Sequence, residues 1–213
     1  MILRKFALMF SVPLLAAGCA RGGDIVEGGI TAVRSACPQV SIPASTGDIT
    51  LFDPANSRDA RAIDVVAVLT NVRHECNESA GEQVVTNVTF DVLARRRDTA
   101  QARSVTLPYF VVMLQGGSAV VAKRVGQVTL NFAAGQERAQ ASGQGSTAVT
   151  RTAATLPAEV RRQLAERRRP GQEAAAVDPL GRPEVRQAVL RATFETLIGF
   201  QITDEQLRYN ATR

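Results

Sequence analysis

The chain has no tryptophan, a single histidine, three cysteines and almost no lysine in 213 residues, and aromatic residues make up only 5% of it. Without tryptophan, the Cys–Trp–Cys core of antibody-type domains is excluded. His74 with so few cysteines supplies no recognisable zinc set, and neither H-E-x-x-H nor a P-loop occurs. The serine-hydrolase elbow G-x-S-x-G is missing too, because "SGQGST" carries its glycines in the wrong places. No apolar run reaches the roughly 18 residues that a spanning helix needs.

What the N-terminus does have is an export pattern. Arg4 and Lys5 precede an apolar stretch from Phe6 to Ala17, which ends in Ala17-Gly18-Cys19 and turns at once polar and glycine-rich. As a helix that stretch is roughly 18 Å long, too short for a hydrocarbon core of about 30 Å. Small residues directly before a cysteine resemble the lipobox of bacterial lipoprotein signals. The resemblance implies diacylglyceryl transfer to the Cys19 thiol, cleavage before it and acylation of the new amino terminus. Leucine is usual three residues before the cysteine; here Ala16 stands there, with Leu14 and Leu15 just upstream. Ala20, where an aspartate would favour inner-membrane retention, implies the outer membrane. Several acyl chains anchor firmly where one does not.

The chain from Cys19 onward would keep two other cysteines, Cys37 and Cys76. In an oxidising compartment they are expected to bond if geometry allows, closing a loop worth roughly 4 kcal/mol; the alternative is two buried thiols. Formal charge falls from +5 to +3 once Arg4 and Lys5 are removed. That balance, nearly all arginine, is no argument for nucleic acid in an exported chain. Residues 20–36 read as a tether reaching roughly 23 Å.

From Cys37 the pattern is β. "QVSIP", "DITLF", "AIDVVAVLTNVRHEC", "EQVVTNVTFDVLA", "SVTLPYFVVMLQ", "AVVAKRV" and "QVTLNF" read as strands. In the fourth, Val84, Val88, Phe90 and Val92 share a face opposite Asn87, Thr89 and Asp91. Gly116-Gly117 marks a hairpin, and Pro108 implies an edge or a bulge. The Gly/Ser-rich "GQERAQASGQGSTAVTRT" reads as an exposed edge strand or a mobile loop. Residues 156–192 read as a helical insertion with helices in "LPAEVRRQLAERRRP" and "RPEVRQAVLRA", before a last strand "TFETLIGFQIT". Thr203 and Gln206 form a capping box that starts a short C-terminal helix. The expected fold is mainly β, an immunoglobulin- or fibronectin-like β-sandwich over 37–213 with the insertion before its last strand; a β-barrel is the alternative.

"CPQV", Arg58 and Asp59 with Asp64 beyond, Cys76, "LPYFVV" and the ending "GFQITDEQLRYN" resemble a family of alphaproteobacterial lipoproteins. The likeness covers roughly 37–132 and 193–210 and omits the arginine-rich helical stretch. It implies an address and an architecture, and no chemistry.

Few residues offer chemistry. His74 and Cys76 are two apart and share a strand face, but act as a base–nucleophile pair only if Cys76 is free. Asp53, Asn56 and Asp59 form an oxygen-rich loop without EF-hand spacing, which reads as an ordinary turn. Arg95, Arg96 and Arg97 near a hairpin end, and Arg167, Arg168 and Arg169 closing the first helix, are candidate contacts for anionic headgroups or a partner's acidic patch; otherwise they are a solvated face. No metal or cofactor is expected. The expected function is a non-enzymatic, outer-membrane-anchored lipoprotein facing the periplasm, with signal residues 1–18, serving as a structural or adaptor module for an envelope protein. The alternatives are a binding module for a small apolar or anionic ligand, and an envelope-polymer hydrolase. The expected outcome of labelling cells with a fatty acid is incorporation into the chain, lost in Cys19→Ala; no label in the unsubstituted chain would refute the anchor.

Overall fold

The computed structural model describes residues 25–26, 29–30, 35–78, 81–166 and 178–212. The chain divides into two compact units, Met1–Ala32 and Val33–Arg213. In the first, β1 (Ile25–Val26) and β2 (Gly29–Ile30) pair antiparallel, a minimal hairpin where a featureless tether is expected. The signal residues 1–18, Cys19, and Arg167, Arg168 and Arg169 lie outside the described residues.

The second unit is a mainly-β sandwich. Along the chain come β3 (Gln39–Ser41), β4 (Asp48–Phe52), β5 (Ile63–Asn77), β6 (Gln83–Arg96), β7 (Arg103–Gln115), β8 (Ala119–Phe132) and β9 (Arg138–Thr150). The helices α1 (Arg151–Ala154), α2 (Ala158–Ala165) and α3 (Pro183–Arg191) precede β10 (Phe194–Phe200), and α4 (Asp204–Thr212) follows it. One sheet runs β3-β10-β7-β8, the other β4-β5-β6-β9. The helical insertion is present, but starts at Arg151 rather than 156, and α2 stops at Ala165, before the arginine run expected to close it.

Local chemistry explains most of the elements. Gly116 and Gly117 both have positive φ, 63° and 82°, the handedness that a tight hairpin needs. "AVVAKRV" and "QVTLNF" are one strand, β8, because Gly126 between them pairs in register with Tyr109. Pro108 sits in an interior strand, contrary to a simple edge reading. Its carbonyl accepts from Gln201 N (2.9 Å), so its missing N–H faces the side where β10 has already ended at Phe200. The position is an edge in the local sense only. The Gly/Ser-rich stretch is the edge strand β9, paired with β6 from Arg138 to Thr150.

Glycine in β9 has a packing cause. Gly143 lies directly opposite Phe90, and a Cβ there would stand 2.2 Å from the ring's Cζ. Gly126 does the same for Tyr109, at 2.4 Å. Each ring therefore lies over bare backbone in an edge strand, and the two rings meet edge to face with centroids 4.9 Å apart. The Tyr109 hydroxyl donates to the Gln144 carbonyl in the other sheet (2.7 Å). Around these rings runs the main core, including Val65, Val88, Val92, Leu107, Leu130, Ile198 and Phe200. A second cluster, Val84, Met113, Val149, Ala154 and Phe194, closes one end.

Gly143→Ala is expected to destabilise by about 1–3 kcal/mol, since the Phe90 ring is buried and cannot retreat. In a Phe90→Ala background the same change should cost much less. Urea unfolding of the four proteins checks this; equal costs in both backgrounds would remove the ring-over-glycine explanation.

Candidate functional site

The two ends of the sandwich differ in chemistry. At one end the chain enters β3, and Cys37 is bonded to Cys76 near the end of β5, with Cα atoms 6.0 Å apart. Cys76 pairs with Thr86 and His74 with Val88, so the two do share a strand face. The disulfide consumes the Cys76 sulfur, which leaves His74 no thiolate to activate. Behind it, the Thr147 and Thr196 hydroxyls hydrogen-bond across the two sheets at 2.8 Å, both side chains buried.

The arginine triplet lies at the other end. Nine residue steps along β6 lead from Thr86 to Arg95, about 30 Å of strand. The three side chains do different things. Arg95 is exposed and pairs with Glu137. Arg97 is exposed, and its backbone N–H donates to Asp64 O (2.9 Å). Arg96 corrects the sequence expectation: it is 2% exposed, and among the described residues its guanidinium donates to backbone carbonyls. Its Nε donates to Gln136 O (2.9 Å), Nη1 to Gln101 O (2.6 Å), and Nη2 to Ala133 O (2.8 Å) and Thr99 O (3.4 Å). The guanidinium lies over the Phe132 ring at 5.1 Å. One side chain thus ties the β6–β7 loop to the β8–β9 turn and caps the core. The signal was present in the sequence. The inward period of two continues from Val84 through Ala94 to Arg96, whereas the expected strand stopped at Ala94.

Arg58 and the ending from Thr203 to Asn210 meet at α4. Thr203 Oγ1 accepts from Gln206 N (3.2 Å), and Gln206 Oε1 accepts from Thr203 N (2.9 Å), the expected capping box. Arg58 pairs with Glu205 (2.6 Å) and stacks on Phe52, whose ring also meets Tyr209 edge-on at 5.1 Å. Asn210 Nδ2 donates to Ser45 O (2.9 Å) and Asp48 O (2.8 Å), a long-range tie that no local pattern announces. Asp64 takes a bidentate bond from Arg103 (3.1 and 2.6 Å), which raises the arginine's pKa further above its ordinary value. Asp59 Oδ1 accepts from Arg61 N (2.9 Å) as the cap of a short 3-10 turn.

Three further surfaces stand out among the described residues. A cleft of about 400 Å3 opens where edge strands β8 and β9 part, with Tyr109, Val111, Gly126, Gly145 and Arg124 in its lining. On the outer face of the second sheet, Val66, Val68, Leu93, Arg95, Arg138 and Gln140 line a shallow apolar depression. Beside it Asp91 accepts from Asn71 Nδ2 (2.6 Å) and Ser142 Oγ (2.7 Å), and these bonds hold its carboxyl below the usual range. On the outer face of the first sheet a groove runs along β7.

No protein-family model, curated protein or solved structure matches the chain. The surfaces must therefore be read by their own chemistry.

Arg96→Met, which keeps the stem and removes every donor, is expected to cost about 2–4 kcal/mol because the carbonyls it serves stay behind. Arg97→Ala should stay within about 0.5 kcal/mol. Thermal and urea unfolding measure both; similar losses would refute the division of roles within the triplet.

Proposed function

We propose that this protein is a lipid-anchored lipoprotein of the cell envelope, held at the outer membrane through Cys19 and facing the periplasm, where it acts as a non-enzymatic adaptor. The export pattern ending at Cys19 and the lipoprotein resemblance support the address. The adaptor reading is carried by one observation. The chain enters the sandwich at one end, and about 30 Å along the strands lies the Val66, Val68 and Leu93 depression flanked by Arg95 and Arg138. An apolar patch with a cationic rim suits a protein partner that brings aliphatic side chains and carboxylates. Anchoring raises the effective concentration of that patch for other envelope proteins.

A second reading is favoured by the β8–β9 cleft. Arg124, on the same strand face as Gly126, is a cation beside an apolar floor, which suits a small anionic ligand. The larger area and the position of the second-sheet patch favour the adaptor.

In-cell crosslinking followed by mass spectrometry tests the proposal. The expected outcome is one near-stoichiometric envelope protein, lost in Cys19→Ala and reduced about tenfold in Arg95→Glu combined with Arg138→Glu, a change of about 1.4 kcal/mol. Background proteins alone would overturn the adaptor and favour the cleft.

A further inference from the structure

Strand β7 is apolar on both faces. Leu107, Tyr109, Val111 and Met113 point into the core, while Phe110, Val112 and Leu114 point outward. Strands of that kind are found where both faces of a sheet are covered. Here the outer cover is partial. Leu207 of α4 reaches over the groove, and Gly199 of β10 meets Thr46. Five of the ten large apolar side chains that stand exposed among the described residues lie on or beside this sheet: Ile42, Val120, Val121, Val125 and Leu207. Val120 and Val125, at 63% and 59% exposure, are the barest of them.

Two further observations say what covers it. First, charge: the groove, of about 310 Å3, is lined by Lys123 and by no acidic side chain, with Glu195 half-buried next to it in the row of Leu114, whereas Arg124 turns to the cleft between the sheets. Lys123 Nζ lies 5.6 Å from the Phe110 ring centroid, so its stem runs along the apolar floor and its ammonium stays at the rim. Second, position: β3, which the chain enters, belongs to this same sheet. Gln39 pairs with Glu195, Glu195 with Leu114, and Leu114 with Val120, so the incoming chain and the bare valines lie in one row across the sheet. Seventeen residues separate Cys19 from Cys37 in the sequence, a reach of roughly 23 Å for a flexible chain of that length, which the β1–β2 pairing shortens.

We propose that the outer face of the β3-β10-β7-β8 sheet seats on a lipid bilayer, with Val120 and Val125 entering the headgroup–acyl boundary and Lys123 meeting lipid phosphates. This rests on the lipid-anchor reading of Cys19. A short tether makes even a weak surface contact effective, because the bilayer is never far away. Seated so, the sandwich turns its other sheet, with Leu93, Arg95 and Arg138, away from the membrane.

The absence of tryptophan provides the test, since one introduced residue becomes a unique reporter. The full chain carrying Val120→Trp is reconstituted with phosphatidylglycerol vesicles that contain acyl-brominated phosphatidylcholine. The control is Leu93→Trp, on the opposite sheet's outer face. The expected result is blue-shifted, bromine-quenched emission from Val120→Trp and unchanged emission from Leu93→Trp. Adding Lys123→Glu should weaken quenching at low salt, by about fivefold in partitioning for the loss of the cation alone. Val125→Trp replaces Val120→Trp if circular dichroism shows that the first does not fold. Lipidation of Cys19 is read separately from the intact mass. Lipidated protein whose Val120→Trp stays unquenched overturns the seating and leaves the anchor standing. Quenching in protein without lipid keeps the seating and removes the anchor. A blue shift that grows with protein concentration in the absence of vesicles assigns the face to a second copy and overturns the proposal.

Discussion

In β6 every second side chain from Val84 to Arg96 faces the other sheet, and a slip of one residue would turn all seven to solvent. The strand pairs along its length with β5 on one side and β9 on the other, so its register is imposed on the whole second sheet. Both ends of that register are fixed by chemistry stronger than packing. Near one end the disulfide holds Cys76, the partner of Thr86. At the other the Arg96 guanidinium holds four carbonyls of the neighbouring loops. Between them the phenyl ring of Phe90 sets the distance at which β9 can lie, and only a residue without a side chain fits opposite it.

The polar residues that invited a functional reading are largely occupied by this work. Arg58, Glu205 and Asn210 hold α4 to the start of the sandwich, and Asp64 with Arg103 joins the first turn of β5 to β7. Such pairs orient elements more than they stabilise them, because partly exposed ion pairs contribute little net free energy. The outer faces of the two sheets differ from these sites: there aliphatic side chains stand exposed beside cations such as Arg95 and Lys123.

The fold was legible in the sequence wherever a local period was clean. The alternation in β6, the Gly116-Gly117 turn, the Thr203–Gln206 box and the helices before β10 each carry a local physical cause, and each is present. The misread segments have causes distant in sequence. The glycines of β9 resemble a loop until Phe90, about 50 residues earlier, is set opposite them. Arg96 resembles a surface charge until the carbonyls around it are known, although the strand period alone could have marked it. Asn210 reaches carbonyls more than 160 residues away, and no pattern within its own helix predicts that. The apolar outer face of β7 was visible as "LPYFVVMLQ", but which side of the strand is inward depends on pairing with β10 and β8.

The location of the disulfide also decides how the sandwich bears tension. Cys37 precedes β3, a strand of only three residues in parallel pairing at a sheet edge, which a pull along the incoming chain would peel one bond at a time. The cross-link diverts that load before β3 is reached and delivers it to β5, fifteen residues long and flanked by hydrogen-bonded neighbours. Many bonds of the second sheet then share the force in shear. Drag on whatever the domain holds would be carried by its most extensively bonded sheet, with the weakest strand left out of the load path.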